Sequence, residues 1–381
     1  MHRRTGRSGP IPMNAPTPTD GPRPPGPHDA VDRECMTRAL AAAATVRCAT
    51  SPNPWVGAVV RTPDGRMFHG ATEAPGGAHA EIVALRQAGD RARGATLYVT
   101  LEPCGHTGRT GPCTQSIIDA GISRVVVGIE DPDPQVTGRG LDQLRAAGID
   151  VTLGVQADHV TAQLTAYLTH RRTGRPYVVL KLAATLDGGT AAPNGTSQWI
   201  TCPEARADGH RLRAESDAIL VGAGTIRRDD PSLTVRDYRP PVMPSGGSVD
   251  PLRVVLGVVE DHARVQPCYS TSGDLGDVLD DLGSKGILQL LVEGGAKVAG
   301  EFHRAGLVDR YVIYTAPALF GGDDAPGLFG GNGAWDISEV RRGRFVAVER
   351  VGIDLRLEMV PDDTGAGTGG TVLESGSAGG S

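Results

Sequence analysis

Cys104 and Cys113 stand in the stretch "TLEPCGHTGRTGPCTQSII", with eight residues between them, in a chain that holds six cysteines in 381 residues. Upstream, "HAE" supplies His79 and Glu81 at the start of an apolar-periodic run. One imidazole and two thiolates are soft-to-borderline donors that suit zinc. Three protein ligands leave the fourth tetrahedral position open to water, the arrangement of a catalytic site. A structural zinc asks for four protein ligands, and the nearest fourth candidate, His106, sits inside the loop between the cysteines, where it reads as a side chain near the substrate. Glu81, two residues from His79, is placed to move protons without binding the metal.

These residues need elements to hold them. "HAEIVALRQAG" predicts a helix opening at His79, and "ATLYVT" a strand leading to Cys104. A helix from Cys113 to Ala120 puts the second thiol at a positive dipole end, where a thiolate is favoured. Around them, the helices "MTRALAAAATV" and "GLDQLRAAG" alternate with the strands "VGAVVR", "RVVVGI" and "IDVTLGV", which indicates an α/β layered sheet. After the amphipathic "ADHVTAQLTAYLTHRRTGRP" a second series opens with "YVVLKLA". It runs through "CPEARADGHRLRAES", "DAILVG", "LRVVLGV", "GILQLLVEGG" and "DRYVIYT", and closes on "GRFVAVER" and "IDLRLEMV".

The hinge between the series falls at Arg171 to Pro176, which predicts domains over residues 31–172 and 173–361. Residues 1–30, rich in proline, and 362–381, rich in glycine and serine, carry too little apolar surface to offset ordering entropy and are expected to be disordered tails. In the second series, Thr201 precedes Glu204 by three residues, a capping-box pattern. Gly294-Gly295 end a strand and turn into a helix, which offers free amides to a phosphate. No Gly-x-Gly-x-x-Gly follows the opening strand, so a Rossmann fingerprint is absent.

Composition narrows the function class. The net charge of -6, without a long run of lysine or arginine, argues against a nucleic-acid surface, and 4% aromatic residues offer few stacking platforms. No run of about 18 apolar residues occurs, and the basic, proline-rich start lacks the apolar core of a secretory signal. Scattered cysteines do not make a disulfide framework. The expectation is a cytoplasmic enzyme that holds a small anionic substrate with a few local arginines, and makes no contact with nucleic acid or membrane. A zinc-stabilised binding module is the alternative, and it would show a closed four-ligand site.

The ordered set His79, Glu81, Pro103-Cys104 and Cys113 is the pattern of zinc deaminases, in which the glutamate is the general acid and base. Cytidine and tRNA-type deaminases usually carry two residues between their cysteines. The eight found here, with "PNPWVGAVV" before and "DPDPQVTGRG" after, closely resemble the deaminase half of the bifunctional riboflavin-biosynthesis deaminase/reductases. "LKLAATLDGGTAAPNGTSQWIT", "DAILVGAGTIRRDDPSLTVR" and "LQLLVEGGAKVAGEF" resemble the reductase half, and the likeness covers most of residues 32–360.

The resemblance implies a cytidine-deaminase-like α/β/α domain followed by a dihydrofolate-reductase-like α/β domain, using Zn2+ and NADPH. It implies hydrolytic deamination of a diaminopyrimidinone ribosyl phosphate and then reduction of the ribosyl group to ribityl, in a homo-oligomer. Carried over by position, Asn53 orients the pyrimidine. Ala183, Trp199, Thr225 and Asp229 contact NADP, and Gly295, Ala296, Lys297, Val298, Ala299, Gly300 and Glu301 cradle its phosphates. Ser197, Arg213, Leu233, Arg236 and Glu293 fall on substrate positions, with Arg213 and Arg236 able to fork onto a phosphate. Lys181 is a candidate proton donor, or else a buried structural lysine. Two stretches depart from the family pattern: "LDGGT" has Gly189 where an arginine is usual, and "GVVED" replaces an Asp-Ser. Gln266 to Leu275 is shorter than a strand plus helix needs. A deaminase with a degenerate second domain is therefore the alternative within this family.

Overall fold

The protein is described by a computed structural model over residues 27–105, 111–133 and 136–362. In it the alternating apolar runs form two sheets, each covered by helices. The first sheet comprises β1 (Gly57–Arg61), β2 (Met67–Ala71), β3 (Thr96–Leu101), β4 (Arg124–Ile129) and β5 (Asp150–Leu153), in the order β2-β1-β3-β4-β5. β1 pairs antiparallel with β2 and β3, whereas β3, β4 and β5 are parallel. Its helices are α1 (Pro27–Thr45), α2 (Ala80–Ala88), α3 (Cys113–Asp119), α4 (Arg139–Ala146), α5 (Ala157–Gln163) and α6 (Thr165–Thr173). The helix α1 lies so close on β1 that a Cβ at Gly57 would stand 1.9 Å from the Ala39 carbonyl oxygen.

The second sheet has eight strands in the order β12-β13-β11-β6-β10-β7-β8-β9. They are β6 (Tyr177–Thr185), β7 (Ala218–Gly222), β8 (Leu252–Leu256), β9 (Tyr269–Thr271), β10 (Gln289–Val292), β11 (Arg310–Ala316), β12 (Gly343–Val351) and β13 (Asp354–Pro361). β6 to β11 are parallel, and β13 and β12 add an antiparallel edge. The helices α7 (Pro203–Ala214), α8 (Ala223–Asp229), α9 (Leu275–Ser284) and α10 (Ala296–Arg304) connect or flank these strands. β7 and β10 are buried along their whole length, which is why, apart from Gly222 and Gln289, they read as Ala, Ile, Leu and Val.

Several local expectations are corrected. α1 begins at Pro27, inside the stretch set aside as a tail; residues 1–26 and 363–381 lie outside the described residues. The amphipathic stretch after β5 is two helices, broken at Leu164, whose backbone leaves the helical region (φ -95, ψ 11). Gln266 to Leu275 does hold a strand, because three residues suffice for β9 at the sheet edge. α9 then starts at once, capped by the Asp274 side chain accepting from Gly276 N–H at 2.7 Å. The Thr201 capping box does not form. Cys202 is the N-cap of α7, Pro203 follows it, and the Cys202 N–H donates instead to buried Asp354 at 2.8 Å.

Candidate active sites

His79 is the N-cap of α2, with extended backbone (φ -74, ψ 160), so its ring leaves the helix start while Glu81 follows in the first turn. Cys104 lies just past the end of β3, and Cys113 opens α3. The three ends converge. His79 Nδ1 is 3.6 Å from Cys104 Sγ and 3.2 Å from Cys113 Sγ, and all three donor atoms lie within 4.8 Å of one another. The Cys113 N–H donates to Cys104 Sγ at 3.5 Å and the Thr114 N–H to the Cys104 carbonyl at 3.3 Å, so the start of α3 faces the first thiol.

The three donors also shift one another's protonation. The hydrogen bond from Cys113 draws the Cys104 thiol down, against its burial and with help from His79, to about 4. Cys113 is pushed up by the same pairing, and the Cys104 hydrogen bond pushes His79 up to about 9. A thiolate held in a buried site with a second thiol and an imidazole around it is a donor set that fits zinc. Glu81 stands outside the donor set. It is 3% exposed, and burial raises its carboxyl, partly offset by His79. His106 lies outside the described residues.

A cavity of about 490 Å³ opens beside the cluster and brings Asn53, His79, Glu81 and Cys104 onto one lining, with Asp131 and Arg171 among its other walls. Two lining residues carry structural work that the sequence reading missed. Buried Glu102 accepts from the backbone N–H groups of Asp131, Gly138, Gly140 and Leu141 at 3.0 to 3.4 Å, and so ties the loop before α4 to the end of β3. Tyr167 on α6 donates to the Asp131 carboxylate at 3.0 to 3.1 Å. Glu102 stood in the quoted "TLEPC", but a single acidic residue carries no period or spacing to mark it.

The second candidate site lies at the C-terminal ends of β6, β10 and β7. Arg213 on α7 forks onto Glu293 with both nitrogens, at 2.8 and 2.9 Å, and donates to the Thr234 carbonyl at 3.1 Å. Lys181 Nζ on β6 is 3.9 Å from Glu293. Burial would raise the Glu293 carboxyl, but Arg213 and Lys181 outweigh it and hold it down at about 2. The Arg213 fork thus already faces a carboxylate, beside the substrate positions it was assigned to. Buried Leu233 adopts a left-handed backbone (φ 53), a conformation that β-carbons disfavour. Arg236 is exposed, its N–H donating to His210 Nδ1 at 3.4 Å.

The Gly295 segment divides into two parts. Gly295 is the N-cap of α10, and the helix leaves the amides of Ala296, Lys297 and Val298 without intrahelical acceptors. A Cβ on Gly295 would stand 3.7 Å from Thr225 Oγ1, so the starts of α8 and α10 face each other across the ends of adjacent parallel strands β7 and β10. That crevice is where open α/β sheets take ligands, and its free amides fit a nucleotide phosphate. Ala299 and Gly300 lie deeper. Both are buried, the Ala299 N–H is spent on the Gly295 carbonyl at 3.1 Å, and a Cβ on Gly300 would meet the Gly330 carbonyl at 2.1 Å. Glu301 is exposed a turn further on. Ala183 is half-buried on β6, and Asp229 is exposed at the end of α8. In the loop after β6, Ser197 is half-buried, and Trp199 is 67% exposed beneath the Arg206 guanidinium, 4.5 Å from its ring centroid.

Comparison with known proteins decides between the readings. Residues 29–129 match the cytidine and deoxycytidylate deaminase zinc-binding region, and residues 176–357 match the RibD C-terminal domain. The chain is 40% identical over 365 residues to the riboflavin biosynthesis protein RibD of Escherichia coli, covering 86% of this chain and 99% of that one. The chain belongs to the RibD family. The solved RibD of Acinetobacter baumannii superposes with a TM-score of 0.82 at 34% identity, covering 88% of this chain and 99% of that one. A Thermotoga maritima diaminohydroxyphosphoribosylaminopyrimidine deaminase/5-amino-6-(5-phosphoribosylamino)uracil reductase superposes at 0.77, with 34% identity and 88% and 100% coverage. Like other RibD family members, this protein is a bifunctional riboflavin-biosynthesis enzyme, a zinc-dependent deaminase joined to an NADPH-dependent reductase. The second domain is present and not degenerate, which sets the deaminase-only alternative aside. At the "LDGGT" departure, a Cβ on Gly189 would stand 2.4 Å from the Phe320 ring.

Proposed function

We propose that the first site deaminates 2,5-diamino-6-(5-phosphoribosylamino)pyrimidin-4-one, and that the second reduces the ribosyl side chain of the product to ribityl. The observation that carries this reading is the cavity that places Asn53 and buried Glu81 beside the His79, Cys104 and Cys113 donor set. Zinc held by those three side chains supplies a Lewis acid that makes water acidic near neutral pH. The Glu81 carboxylate takes the proton of the water that adds to the amino-bearing ring carbon. It then returns protons to the ring and to the departing amine, so that the C–N bond breaks and ammonia leaves. Asn53 holds the ring in register for this exchange.

In the second site NADPH supplies the hydride. The amides of Ala296 to Val298, with Thr225 facing them, hold its phosphates. Glu293, ionised and oriented by Arg213 and Lys181, accepts hydrogen bonds from sugar hydroxyls, and Lys181 is the nearest proton donor to them. Arg236, exposed beside His210, is left to meet the substrate phosphate.

The setting we assign is cytoplasmic, supported by six free cysteines and by the lack, among the described residues, of a helix long and apolar enough to cross a membrane. We assign a second copy of the chain, and no nucleic acid, as the macromolecular partner. The edge strand β12 exposes Phe345, Val346 and Val348, an apolar edge that a copy can cover. The deciding experiment incubates the zinc-loaded protein with the diaminopyrimidinone ribosyl phosphate, with and without NADPH. Ammonia is expected in both cases and the ribityl product only with NADPH; no ammonia in either would overturn the reading.

A further inference from the structure

We infer that the second domain holds one wall of the deaminase cavity in place, through contacts made by Arg47 with Gln289 and by Pro52 with Gly286. The inference rests on the deaminase reading of that cavity. The wall is the turn Pro52, Asn53 and Pro54. It belongs to no strand or helix, and within the turn the Asn53 N–H reaches only back to the Thr50 carbonyl, at 2.8 Å. Its position depends on what grips its two ends, and both grips lead to the second sheet.

At one end, Pro52 lies against the loop that leads into β10, where a Cβ added at Gly286 would stand 3.7 Å from Pro52 Cβ. At the other end, Trp55 is 4% exposed and lies under the Arg47 guanidinium, 4.5 Å from its ring centroid. Arg47 Nη2 donates to Gln289 Oε1 at 2.8 Å, and its Nε stands 3.5 Å from Glu215 Oε2. Gln289 cannot turn away, because its Nε2 donates to Ser216 Oγ at 3.0 Å and to the Glu215 carbonyl at 3.3 Å. The buried amide and the guanidinium that answers it form a bracket that is costly to open on one side alone.

Arg47 and Gln289 touch neither the substrate nor the donor set, so they are positioning residues for Asn53. A side chain that orients the ring contributes equally before and during reaction, so loosening it raises KM and leaves kcat in place. The same variants leave the reductase site intact, since its charged groups lie at the opposite end of β10.

The test uses the full chain with Gln289→Leu and Arg47→Met, singly and together. In the ammonia assay with the diaminopyrimidinone ribosyl phosphate, each single variant is expected to raise KM at least ~5-fold with kcat within about 2-fold. NADPH oxidation with the pre-deaminated substrate should be unchanged. Because one contact is removed once, the double variant should be no worse than the worse single variant. Unchanged KM in both singles, KM increases that multiply in the double, or equal loss of both activities would each overturn the inference. Should Arg47→Met fail to fold, Arg47→Lys, which keeps the charge facing Glu215 but shortens the reach to Gln289, makes the same comparison. A wild-type chain that releases no ammonia overturns the deaminase reading itself. Active wild type beside silent variants overturns only the positioning role.

Discussion

In the deaminase site three metal-type donor side chains converge on one point, whereas in the reductase site the charged side chains pair off with one another. His79, Cys104 and Cys113 bring three donor atoms, one of them a thiolate, within 4.8 Å of one another, with buried Glu81 outside the set. Arg213, Glu293 and Lys181 instead close into an ion cluster whose charges are answered before any ligand arrives. The first arrangement is a donor set that fits a metal ion, and it can be recognised from the side chains alone. The second is a preorganised surface, whose purpose shows only in the crevice it borders, between the starts of α8 and α10.

That contrast is broken most directly by removing a donor. Cys113→Ala should lose the bound zinc and, with it, ammonia release altogether, while NADPH oxidation with pre-deaminated substrate continues. Metal analysis beside the two assays checks this, and retained zinc with full deamination would remove Cys113 from the ligand set. Next in size is Glu81→Gln. It should keep zinc, because the glutamate lies outside the donor group, yet cut ammonia release at least ~100-fold, the usual scale for a lost acid/base group. Near-normal ammonia release would leave Glu81 with no role in proton transfer.

The other side of the comparison predicts a smaller and opposite separation. Arg213→Ala strips the fork from Glu293 and leaves a buried carboxylate with only Lys181 at 3.9 Å. A charge-assisted contact of this kind is worth ~1.5 to 3 kcal/mol, so NADPH oxidation should fall roughly 10- to 100-fold. Ammonia release should not change. A parallel loss of both activities would show that the two sites are not independent across the hinge between α6 and β6.

The difference between the sites also explains what could be read in advance. Zinc ligands must be of particular types, and here they sit at element ends, so "HAE" and "EPC" with a later Cys opening a helix carry the site in local order. The alternation of apolar runs likewise marks nearly every strand, because burial on both faces leaves a continuous signal in β4, β7 and β10. Glu102 and Arg47 were invisible for the converse reason. Their partners are backbone amides or side chains more than 25 residues away, and no spacing rule records such contacts. The fate of the Gly295 segment shows a third limit. Seven consecutive residues were carried over as one cradle, but a helix presents only its first-turn amides, and the next residues turn to the core.

The smallest effect tests whether a departure in the reductase half is compensated or merely tolerated. Gly189 closes a tight turn, its N–H donating to Thr185 Oγ1 at 3.0 Å while its carbonyl accepts from the Thr185 N–H at 2.9 Å. Asp187 in the same turn accepts from the Gly321 N–H at 2.8 Å, which brings Phe320 over the glycine. A methyl at 189 would therefore press on the Phe320 ring, but the ring is partly exposed and can swing aside. Gly189→Ala should destabilise by about 1 kcal/mol, the low end of overpacking costs. In a Phe320→Ala background the same substitution should cost almost nothing, a coupling that denaturant unfolding of the four proteins would measure. Additive losses would mean that the ring does not occupy the space left by the absent side chain. In that case Gly189 reflects a requirement of the turn, and the family's arginine could be restored there without touching Phe320.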